Sequence, residues 1–412
     1  MTEVIPLRGI LYNAAKVSGA DVIAPPYDVI TPELREALYH KSEYNIVRID
    51  FGAEFGADNA RDNKYTRAAG FLEKWQQEGI LVRSGKDCFY AYEMEYTAAG
   101  ERKRTRGFFG LVRLAELGDG VYPHEETHAK PKVDRLNLLT SCRANTSPIF
   151  SLYNSPAKAA SAVVARVAKT KPYLEAQDLQ GSVHRLWVIE GEEDIRTIRT
   201  DLAGKAIFIA DGHHRYETAL EYRKTAGNPR ESGPQDYVLM FLANIAEGDL
   251  TILPTHRIVR YNNSVNTLEV LSRHFDIEAL AAGDDIIKAL RGRVWTLGLF
   301  LKEDGGQYLL TCRGCDLDAL RPEVRTLDVS ILHELVLKRL LAVSGVIYEM
   351  DAAIARKKVA DEGYDAVFFL NPTLVGDVER VALSLTRMPP KSTYFYPKVM
   401  TGFVINSLTN SI

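Results

Sequence analysis

The sequence predicts a mixed α/β protein with more than one domain. Short apolar runs of strand length alternate with stretches whose apolar residues fall at helical spacing, and this alternation continues along the chain. A chain of 412 residues is too long for a single ordinary core. Its composition, 46% hydrophobic and 25% charged, is that of a globular protein that buries a large core.

The patterns divide the chain into three α/β regions, at 1–84, 85–260 and 261–412. In the first region, Thr31 followed by Pro32 is typical of a helix start, with threonine as N-cap and proline at the first helical position. A double proline at 25–26 is expected to break a short strand. The predicted elements of this region are a strand over 22–30, a strand over 45–50 and a helix over 62–78.

The central region opens with an aromatic, alternating stretch at 88–94, and 104–114 is its expected hairpin partner. The region continues with helices at 158–169 and 217–225 and strands at 186–189, 206–210 and 237–245. In the third region, an amphipathic helix is predicted over 328–341, followed by a helix at 351–362 that leads into a strand at 366–370.

Charge and hydropathy exclude several classes of protein. The net charge of −3 does not show the excess positive charge that is typical of proteins that bind nucleic acid. The N-terminus lacks a signal-peptide pattern and no apolar run is long enough to span a bilayer, so a soluble, cytoplasmic protein is expected. Four cysteines make no disulfide framework, and Cys312 and Cys315 are expected to be reduced thiols near a turn.

The strongest functional pattern is Asp211-Gly212-His213-His214-Arg215. An apolar strand stops at the aspartate, the glycine frees the backbone, and a helix follows. A helix start favours an anion, and an arginine fork suits phosphate. The aspartate can accept a proton or hold Mg²⁺. The alternative is that Asp211 only caps the helix, which poorly explains two histidines and an arginine at one helix start.

A second pattern, His124-Glu125-Glu126-Thr127-His128, matches the H-E-x-x-H spacing of zinc sites. Pro123 and Pro131 leave room for hardly two helical turns around it, which argues against a rigid zinc site. A turn that presents one of the two carboxylates to a substrate is the favoured interpretation. An ordinary solvated loop remains open.

Three further stretches carry polar groups that could meet an anionic ligand. A solvated helix face is the alternative for the first, and the second is expected at a strand end lining the same cleft as the Asp-Gly-His-His-Arg pattern. The stretches contain, respectively, Lys130, Lys132, Asp134, Arg135 and Arg143; Thr255, His256 and Arg257; and Lys391 and Lys398.

The whole chain resembles a widespread bacterial and archaeal family of unknown function. The motifs that carry the resemblance are Ala24-Pro25-Pro26-Tyr27-Asp28-Val29-Ile30, Pro123-His124-Glu125-Glu126-Thr127, Asp134-Arg135-Leu136, Asp211-Gly212-His213-His214-Arg215, Pro254-Thr255-His256-Arg257 and Lys391-Ser392-Thr393.

The central region also resembles the ParB/sulfiredoxin-like fold, and most closely its free serine kinases. This resemblance implies a ParB/sulfiredoxin-like core over 85–260 with additional α/β regions on either side. It implies that the Asp-Gly-His-His-Arg block lies at a nucleotide-binding helix start, with ATP or ADP and Mg²⁺ as cofactors. It further implies that Glu125, in the upstream turn, is the base that acts on the serine hydroxyl.

Together these observations predict a nucleotide-dependent phosphotransferase for a small hydroxylated metabolite, with free serine as the first candidate and the direction of reaction left open. The expected catalytic residues are Glu125 (with Glu126 as the less favoured carboxylate), Asp211 and His213. The expected phosphate ligands are Gly212, His213, His214 and Arg215, and the expected substrate contacts are Arg135, Thr255, His256 and Arg257.

Two other functions remain open. One is a nucleotide-binding regulatory protein without turnover, which would need phosphate ligands but no base. The other is a metal-dependent hydrolase using His124, His128 and either His213 or His214. The identity of a metal and the oligomeric state are not determined by the sequence.

Overall fold

The computed structural model describes residues 2–125, 129–226, 233–261, 266–314, 317–318 and 320–409. The chain forms two compact units. The first comprises Met1–Pro123, Thr127–Thr251 and Pro397–Ile412, and the second comprises His124–Glu126 and Ile252–Tyr396. The mixed α/β class is confirmed, whereas the division at residues 84 and 260 stays a prediction.

Strands are numbered in chain order over the described residues. They are β1 (Val4–Ile5), β2 (Ile10–Tyr12), β3 (Leu81–Arg83), β4 (Phe89–Ala98), β5 (Glu101–Arg113), β6 (Val121–Tyr122), β7 (Ala144–Asn145), β8 (Ile149–Tyr153), β9 (Leu174–Gln177), β10 (Val183–Ile189), β11 (Ile207–Asp211), β12 (Tyr237–Asn244), β13 (Thr251–Leu253), β14 (His256–Arg260), β15 (Phe275–Ala279), β16 (Thr296–Leu301), β17 (Gln307–Cys312), β18 (Gly345–Glu349), β19 (Ala366–Phe369), β20 (Tyr394–Tyr396) and β21 (Asn406–Ser407).

Helices are numbered in the same way. They are α1 (Gly19–Val22), α2 (Pro32–Lys41), α3 (Val47–Asp50), α4 (Lys64–Gln77), α5 (Ala129–Cys142), α6 (Ala159–Val167), α7 (Glu192–Leu202), α8 (His213–Ala226), α9 (Thr267–Ser272), α10 (Ile286–Leu290), α11 (Pro322–Arg325), α12 (Asp328–Ser330), α13 (Ala352–Asp361) and α14 (Val375–Leu383). Short 3₁₀ segments cover Tyr27–Val29, Pro234–Asp236 and Ile245–Glu247, and a π-helical segment, Ile331–Leu340, continues α12. No described helix combines the length and the apolar character needed to cross a membrane.

The first unit is built on a mixed sheet of nine described strands, in the order β6-β11-β8-β12-β5-β4-β10-β9 with β1 beside β5. The predicted hairpin is confirmed as β4 and β5, whose register pairs Tyr90 with Phe109. Ala99 and Gly100 connect the strands with positive φ angles of 51° and 79°, as a two-residue hairpin turn that follows strand twist requires. Side chains of α6, α7 and α8 join the inner residues of this sheet in one apolar core.

The second unit contains an antiparallel sheet of six strands within the described residues, in the order β15-β17-β16-β19-β14-β18. Its core forms where α10 and α13 cover Ile258, Phe300 and Val367 of the sheet. The predicted helix at 351–362 and the strand at 366–370 are both confirmed here, as α13 and β19.

The helix start at Thr31 is also confirmed, because its side chain accepts a hydrogen bond from Leu34 N at 3.2 Å and Pro32 begins α2. Two predictions are wrong. Residues 45–50 form the short helix α3 rather than a strand, and no strand covers 22–30, which holds the end of α1 and a 3₁₀ turn. Tertiary bonds decide the first case. Asn45 Nδ2 donates to Asp21 O and Ile23 O, while its Oδ1 accepts from Val47 N in the manner of an N-cap.

The prediction of reduced thiols is wrong at Cys312, which is disulfide-bonded in the structure. Cys315 lies outside the described residues. Cys88 and Cys142 are free thiols.

The close packing of the large sheet can be tested at Gly107 on β5. A Cβ there would clash with the Leu242 carbonyl oxygen and lie 2.6 Å from the Phe241 ring. Since neither group can move without disturbing β12, Gly107→Ala should destabilise the protein by about 1–3 kcal/mol. Gly70→Ala is the control, because Gly70 lies within α4 with nothing within 4 Å, and alanine there should be neutral or stabilise by up to about 1 kcal/mol. Chemical denaturation of both variants measures the difference, and equal stabilities would contradict this packing.

Candidate functional site

The predicted strand–glycine–helix turn is present in the first unit. Ile207 and Ile209 are buried in β11, and Asp211 ends the strand. Gly212 has a φ of 95°, a conformation that side chains other than glycine adopt at a cost. α8 then begins at His213, and Tyr216 N donates to Gly212 O at 3.1 Å to close its first turn. The turn therefore places a carboxylate at the positive end of a helix dipole.

Asp211 is held between two cations. Its Oδ2 accepts a hydrogen bond from Arg215 Nη2 at 2.7 Å, and its Oδ1 accepts one from Lys398 Nζ at 2.5 Å. All three side chains are largely buried, with 10–15% of each exposed. Two cations around one carboxylate leave the cluster with a net charge of +1, which adds to the helix dipole in favouring an anion.

The guanidinium group of Arg215 already donates hydrogen bonds to groups within the protein. In addition to Asp211, its guanidinium donates to Ser147 Oγ at 2.7 Å and to the carbonyl oxygen of Pro148. The remaining nitrogen, Nε, is buried and has no hydrogen-bond partner. The predicted role of Arg215 as a direct phosphate ligand stays a prediction. In the structure, Arg215 fixes the position of Asp211. That prediction requires Arg215 to release a protein partner first.

The two histidines occupy the first turn of α8. His213 is buried and His214 is half-buried. Both imidazoles belong to the same turn as the Asp211 cluster, as the sequence predicted. Their roles as a catalytic group and as phosphate ligands stay predictions.

Two other sequence motifs meet this turn. The Arg135 guanidinium, on α5, lies 4.1 Å from the centre of the Tyr27 ring. Burial raises the pKa of the Tyr27 hydroxyl well above its usual value, with smaller effects from nearby charges that include Arg215 and Asp211. The motif that contains Tyr27 and the motif that contains Arg135 therefore belong to the same part of the first unit as Asp211, which spacing alone could not reveal.

Arg135 itself is paired internally. Its Nη1 donates to Asp50 O at 2.8 Å, and its Nε and Nη2 donate to Asp134 Oδ2 at 2.9 and 2.6 Å. The side chain is buried. This geometry describes an arginine that orients Tyr27 and ties α5 to α3, whereas the substrate contact predicted for it stays a prediction.

A small cavity of about 40 Å³ lies beside these arginines. Three of the polar atoms on its lining residues are buried without a hydrogen-bond partner: Asp50 Oδ2, Arg215 Nε and Thr218 Oγ1. The volume suits one or two water molecules, which are the usual partners of such atoms. We expect ordered water here to complete the hydrogen bonding of Arg215.

The Glu125 turn belongs to the second unit, as a β-bridge partner of Met388. Glu125 Oε1 accepts hydrogen bonds from Thr393 N at 2.9 Å and Thr393 Oγ1 at 2.8 Å. His124 Nε2 lies 2.7 Å from the same hydroxyl. Because the threonine hydroxyl has one proton, which it donates to Glu125, His124 Nε2 is the donor to Thr393. The result is a relay from His124 through Thr393 to Glu125 that fixes the carboxylate.

The structure describes the first two residues of the H-E-x-x-H motif, His124 and Glu125. His124 is fully buried, and its Nε2 is used by Thr393. Glu126, Thr127 and His128 lie outside the described residues. Among the residues that are described, no group of three histidine, cysteine or carboxylate side chains could hold a metal ion. The hydrolase interpretation stays a prediction.

Thr255, His256 and Arg257 are all buried in the second unit, at the start of β14. His256 Nδ1 accepts a hydrogen bond from Leu370 N at 3.3 Å. Burial, with a further contribution from Arg257, lowers the pKa of His256 to about 4, so the imidazole is neutral at pH 7. Sequence spacing did not indicate that these residues are buried, because the stretch is mostly polar.

Comparison with known protein families shows the family to which the chain belongs. It belongs to DUF1015, a family of proteins of unknown function, whose model matches residues 4–330. The predicted membership of a family of unknown function is therefore confirmed. No curated protein matches the sequence significantly. The predicted ParB/sulfiredoxin-like core stays a prediction.

Several solved structures show a distant likeness. Free serine kinase in complex with AMP is 14% identical, with a TM-score of 0.37 over 70% of this chain and 86% of that chain. A conserved hypothetical protein from Pyrococcus furiosus is 12% identical, with a TM-score of 0.37 over 73% and 97% of the two chains. C-terminally truncated SbnI from Staphylococcus aureus is 11% identical, with a TM-score of 0.38 over 74% and 90%. At these identities and TM-scores the likeness carries no argument about function.

The turn can be tested at Gly212. A Cβ there would lie 2.8 Å from Arg215 Nε and 2.9 Å from Nη2. Gly212→Ala should therefore strain the backbone and push Arg215 away from Asp211, and we expect it to lower stability by more than the ~1–2 kcal/mol of a left-handed alanine alone. Gly204→Ala is the matched control, since Gly204 has a φ of 72° and nothing within 4 Å of its Cβ position. Equal losses in thermal or denaturant unfolding would show that Arg215 is not held as described.

Proposed function

We propose that this protein is a nucleotide-dependent phosphotransferase that acts on a small hydroxylated metabolite, with free serine as the first candidate. The observation that supports the proposal is the Asp211 cluster, a net positive group at a strand–glycine–helix turn. Phosphoryl transfer depends mainly on positioning and on neutralising phosphate charge, and this turn supplies both. The motif resemblance to the free serine kinases suggests the acceptor hydroxyl.

In this proposal Lys398 has the central role at the phosphates. Its ammonium group pairs with Asp211, and a phosphate oxygen can replace one carboxylate oxygen at that group. The backbone N–H groups at the start of α8 would contact the same anion. Arg215 would hold Asp211 in place rather than bind phosphate itself, because its fork is occupied.

Mg²⁺ fits the arrangement only after a rearrangement. Both oxygens of Asp211 accept hydrogen bonds from cations, so a metal ligand role for Asp211 requires Lys398 to leave Oδ1. Oxygen ligands from a carboxylate and phosphates are the usual environment of Mg²⁺, which when bound would neutralise the charge on the phosphates. The exchange of Lys398 from Asp211 to a phosphate would vacate this carboxylate oxygen.

Glu125 is the proposed base. The relay through Thr393 orients its carboxylate and leaves Glu125 Oε2 as the oxygen that Thr393 does not contact. Both hydrogen bonds from Thr393 end on Oε1 and hold the carboxylate in one orientation.

The same two hydrogen bonds are the observation that favours a second candidate, a nucleotide-binding regulatory protein without turnover, because they also suit a carboxylate that only holds the turn together. Such a protein needs the Asp211 cluster to bind phosphate, but it needs no general base at Glu125. The two candidates therefore share the prediction for Lys398 and differ in the prediction for Glu125.

The phosphate role is tested by replacing Lys398. Lys398→Met keeps the length of the side chain and removes its charge, so the cluster becomes neutral. ADP affinity should fall by roughly 10- to 150-fold, corresponding to the ~1.5–3 kcal/mol typical of hydrogen bonds to a charged group. Lys86→Met is the control, because Lys86 pairs with Glu190 on the exposed surface of the same unit. Calorimetric titration with ADP measures both, and an unchanged affinity in Lys398→Met would remove the site from consideration.

The base role is tested by Glu125→Gln. Glutamine keeps the size and the hydrogen bond from Thr393 but cannot take a proton, so kcat for phosphate transfer from nucleotide to serine should fall by about 10²–10⁴-fold with nucleotide affinity unchanged. Phosphoserine formation is followed by mass spectrometry, with other small hydroxy compounds in parallel.

Two further variants sharpen the result. Thr393→Ser keeps the relay and should remain active, whereas Thr393→Val removes the hydroxyl and should lower kcat with little change in KM. If Glu126→Gln abolishes the activity and Glu125→Gln does not, the base is the other carboxylate. A wild-type protein that binds ADP and transfers phosphate to no compound in the panel would favour the regulatory candidate.

A further inference from the structure

The second unit contains a pocket of about 320 Å³ that is lined in part by Thr255 and Arg257, two of the substrate contacts predicted from the sequence. Its polar lining includes Thr255, Arg257, Asp328, Asn371, Thr373 and Ser392. A volume of this size suits a small organic molecule. Three features of the lining define the chemistry of that molecule.

The first feature is a buried arginine without a carboxylate partner. Arg257 is 1% exposed, and no carboxylate among the described residues lies within ion-pair distance of it. All three guanidinium nitrogens donate: Nε to His333 Nε2 at 3.1 Å, Nη1 to the Thr255 carbonyl oxygen, and Nη2 to Lys391 O at 2.9 Å and Pro390 O at 3.4 Å. All of these acceptors are neutral, since burial and the nearby Arg257 charge lower the pKa of His333 to about 3. A ligand carboxylate would therefore replace a neutral backbone acceptor at Arg257, whereas at Arg215 an anion would compete with the carboxylate of Asp211.

Burial also lowers the pKa of Arg257, to about 10, so the guanidinium still carries its charge at pH 7. The charge of Glu125 acts on Arg257 and partly offsets the effect of burial, but no carboxylate of a described residue is bonded to the guanidinium. A buried charge without a directly bonded opposite charge is unfavourable, and buried charges in proteins are normally paired. The contrast with Arg135 in the first unit, which has Asp50 and Asp134 as partners, shows how this chain otherwise pairs a buried arginine. A ligand that carries a negative charge would supply the missing partner.

The second feature is an unsatisfied hydroxyl. Thr255 is 6% exposed, and its Oγ1 is buried without a hydrogen-bond partner. A buried polar atom without a partner is unfavourable, so such atoms usually have a partner that binds there. Thr255 and Arg257 follow each other on the same stretch of chain and line the same pocket. A hydroxyl donor beside a guanidinium is a suitable pair for the two oxygens of a carboxylate.

The third feature is the remainder of the wall. Leu327, Val329 and Leu370 give the pocket an apolar surface. Burial raises the pKa of Asp328 to about 6. Arg291 and Arg293 also border the pocket, but both residues are exposed, and Arg293 pairs with Glu278 at 2.6 Å. One buried cation beside apolar walls suits a monoanion with a hydrocarbon body better than a phosphate.

We propose that this pocket of the second unit binds a small aliphatic carboxylic acid, with the carboxylate at Arg257 and Thr255 Oγ1 and the hydrocarbon body against the leucine and valine side chains. The inference stands apart from the proposed phosphoryl transfer, because it rests only on residues of this pocket and concerns a ligand without phosphate. Sequence spacing pointed to Thr255 and Arg257 as substrate contacts, and the pocket now defines the class of ligand.

The test is binding of 4-methylpentanoate to the full-length protein in the absence of nucleotide, by calorimetry and thermal shift. Its amide, 4-methylpentanamide, has the same shape without the charge, and inorganic phosphate and L-serine complete the panel. We expect the carboxylate to bind and to raise Tm, and the amide to bind at least about tenfold more weakly, because a charge-assisted bond is lost. Binding of phosphate or serine without 4-methylpentanoate, or equal binding of acid and amide, would overturn the proposal.

Variants locate the site. Arg257→Gln should lower affinity for 4-methylpentanoate by about tenfold or more. Thr255→Val removes a hydroxyl that bonds to nothing, so it should fold as stably as wild type and still weaken the carboxylate by a few-fold, which keeps the test valid if Arg257→Gln does not fold. Arg260→Met is the matched control on the same strand, since Arg260 is exposed and bonds to the Gly363 carbonyl. An equal loss in Arg260→Met, or none in Thr255→Val, would contradict this placement of the carboxylate.

Discussion

The first unit depends on the carboxylate of Asp211, which joins two parts of the chain that are far apart in sequence. Arg215 reaches it from α8, and Lys398 reaches it from the C-terminal segment, 187 residues away. That segment is itself anchored in the first unit, because Ile405 bonds to Ile10 and β21 pairs with β7. The position of Lys398 therefore rests on backbone pairing and not on a single ion pair. The removal of either cation would change both the geometry and the charge of the turn.

The buried arginines of this protein differ in whether a carboxylate is bonded to the guanidinium group. Arg135 and Arg215 are largely buried and bonded to carboxylates, so each can position a neighbour without binding an anion from outside. Arg257 is equally buried but bonds only to neutral acceptors. Only the first two have a directly bonded carboxylate, whereas the charge of Glu125 acts on Arg257 without bonding to it. This difference supports binding at Arg257, whereas a count of basic residues along the sequence would treat the three alike.

The Glu125 turn shows how a short motif acquires its geometry from distant residues. His124 and Glu125 are adjacent, but the group that connects them is the Thr393 hydroxyl, which reaches both from the other end of the second unit's sequence. The relay orients a carboxylate, which is compatible with a base that is used in turnover and with a residue that only stabilises the turn. The Asp211 cluster does not distinguish these cases, because both bind a nucleotide.

The sequence by itself determined the mixed α/β class, the β4–β5 hairpin, the helix start at Thr31 and the turn at Gly212, because each depends on local periodicity or on the backbone preferences of glycine and proline. It also selected Asp211, Glu125 and Arg257 as chemically important residues from their local patterns. Only the tertiary structure decided their partners. Buried hydrogen bonds of Asn45 stabilise α3 in a segment with a strand-like sequence. Long-range backbone pairing places Lys398 beside Asp211. The guanidinium groups of Arg135 and Arg215 are bonded to carboxylates, whereas that of Arg257 is bonded to neutral acceptors. Those outcomes depend on contacts between residues distant in sequence, for which local spacing carries no signal.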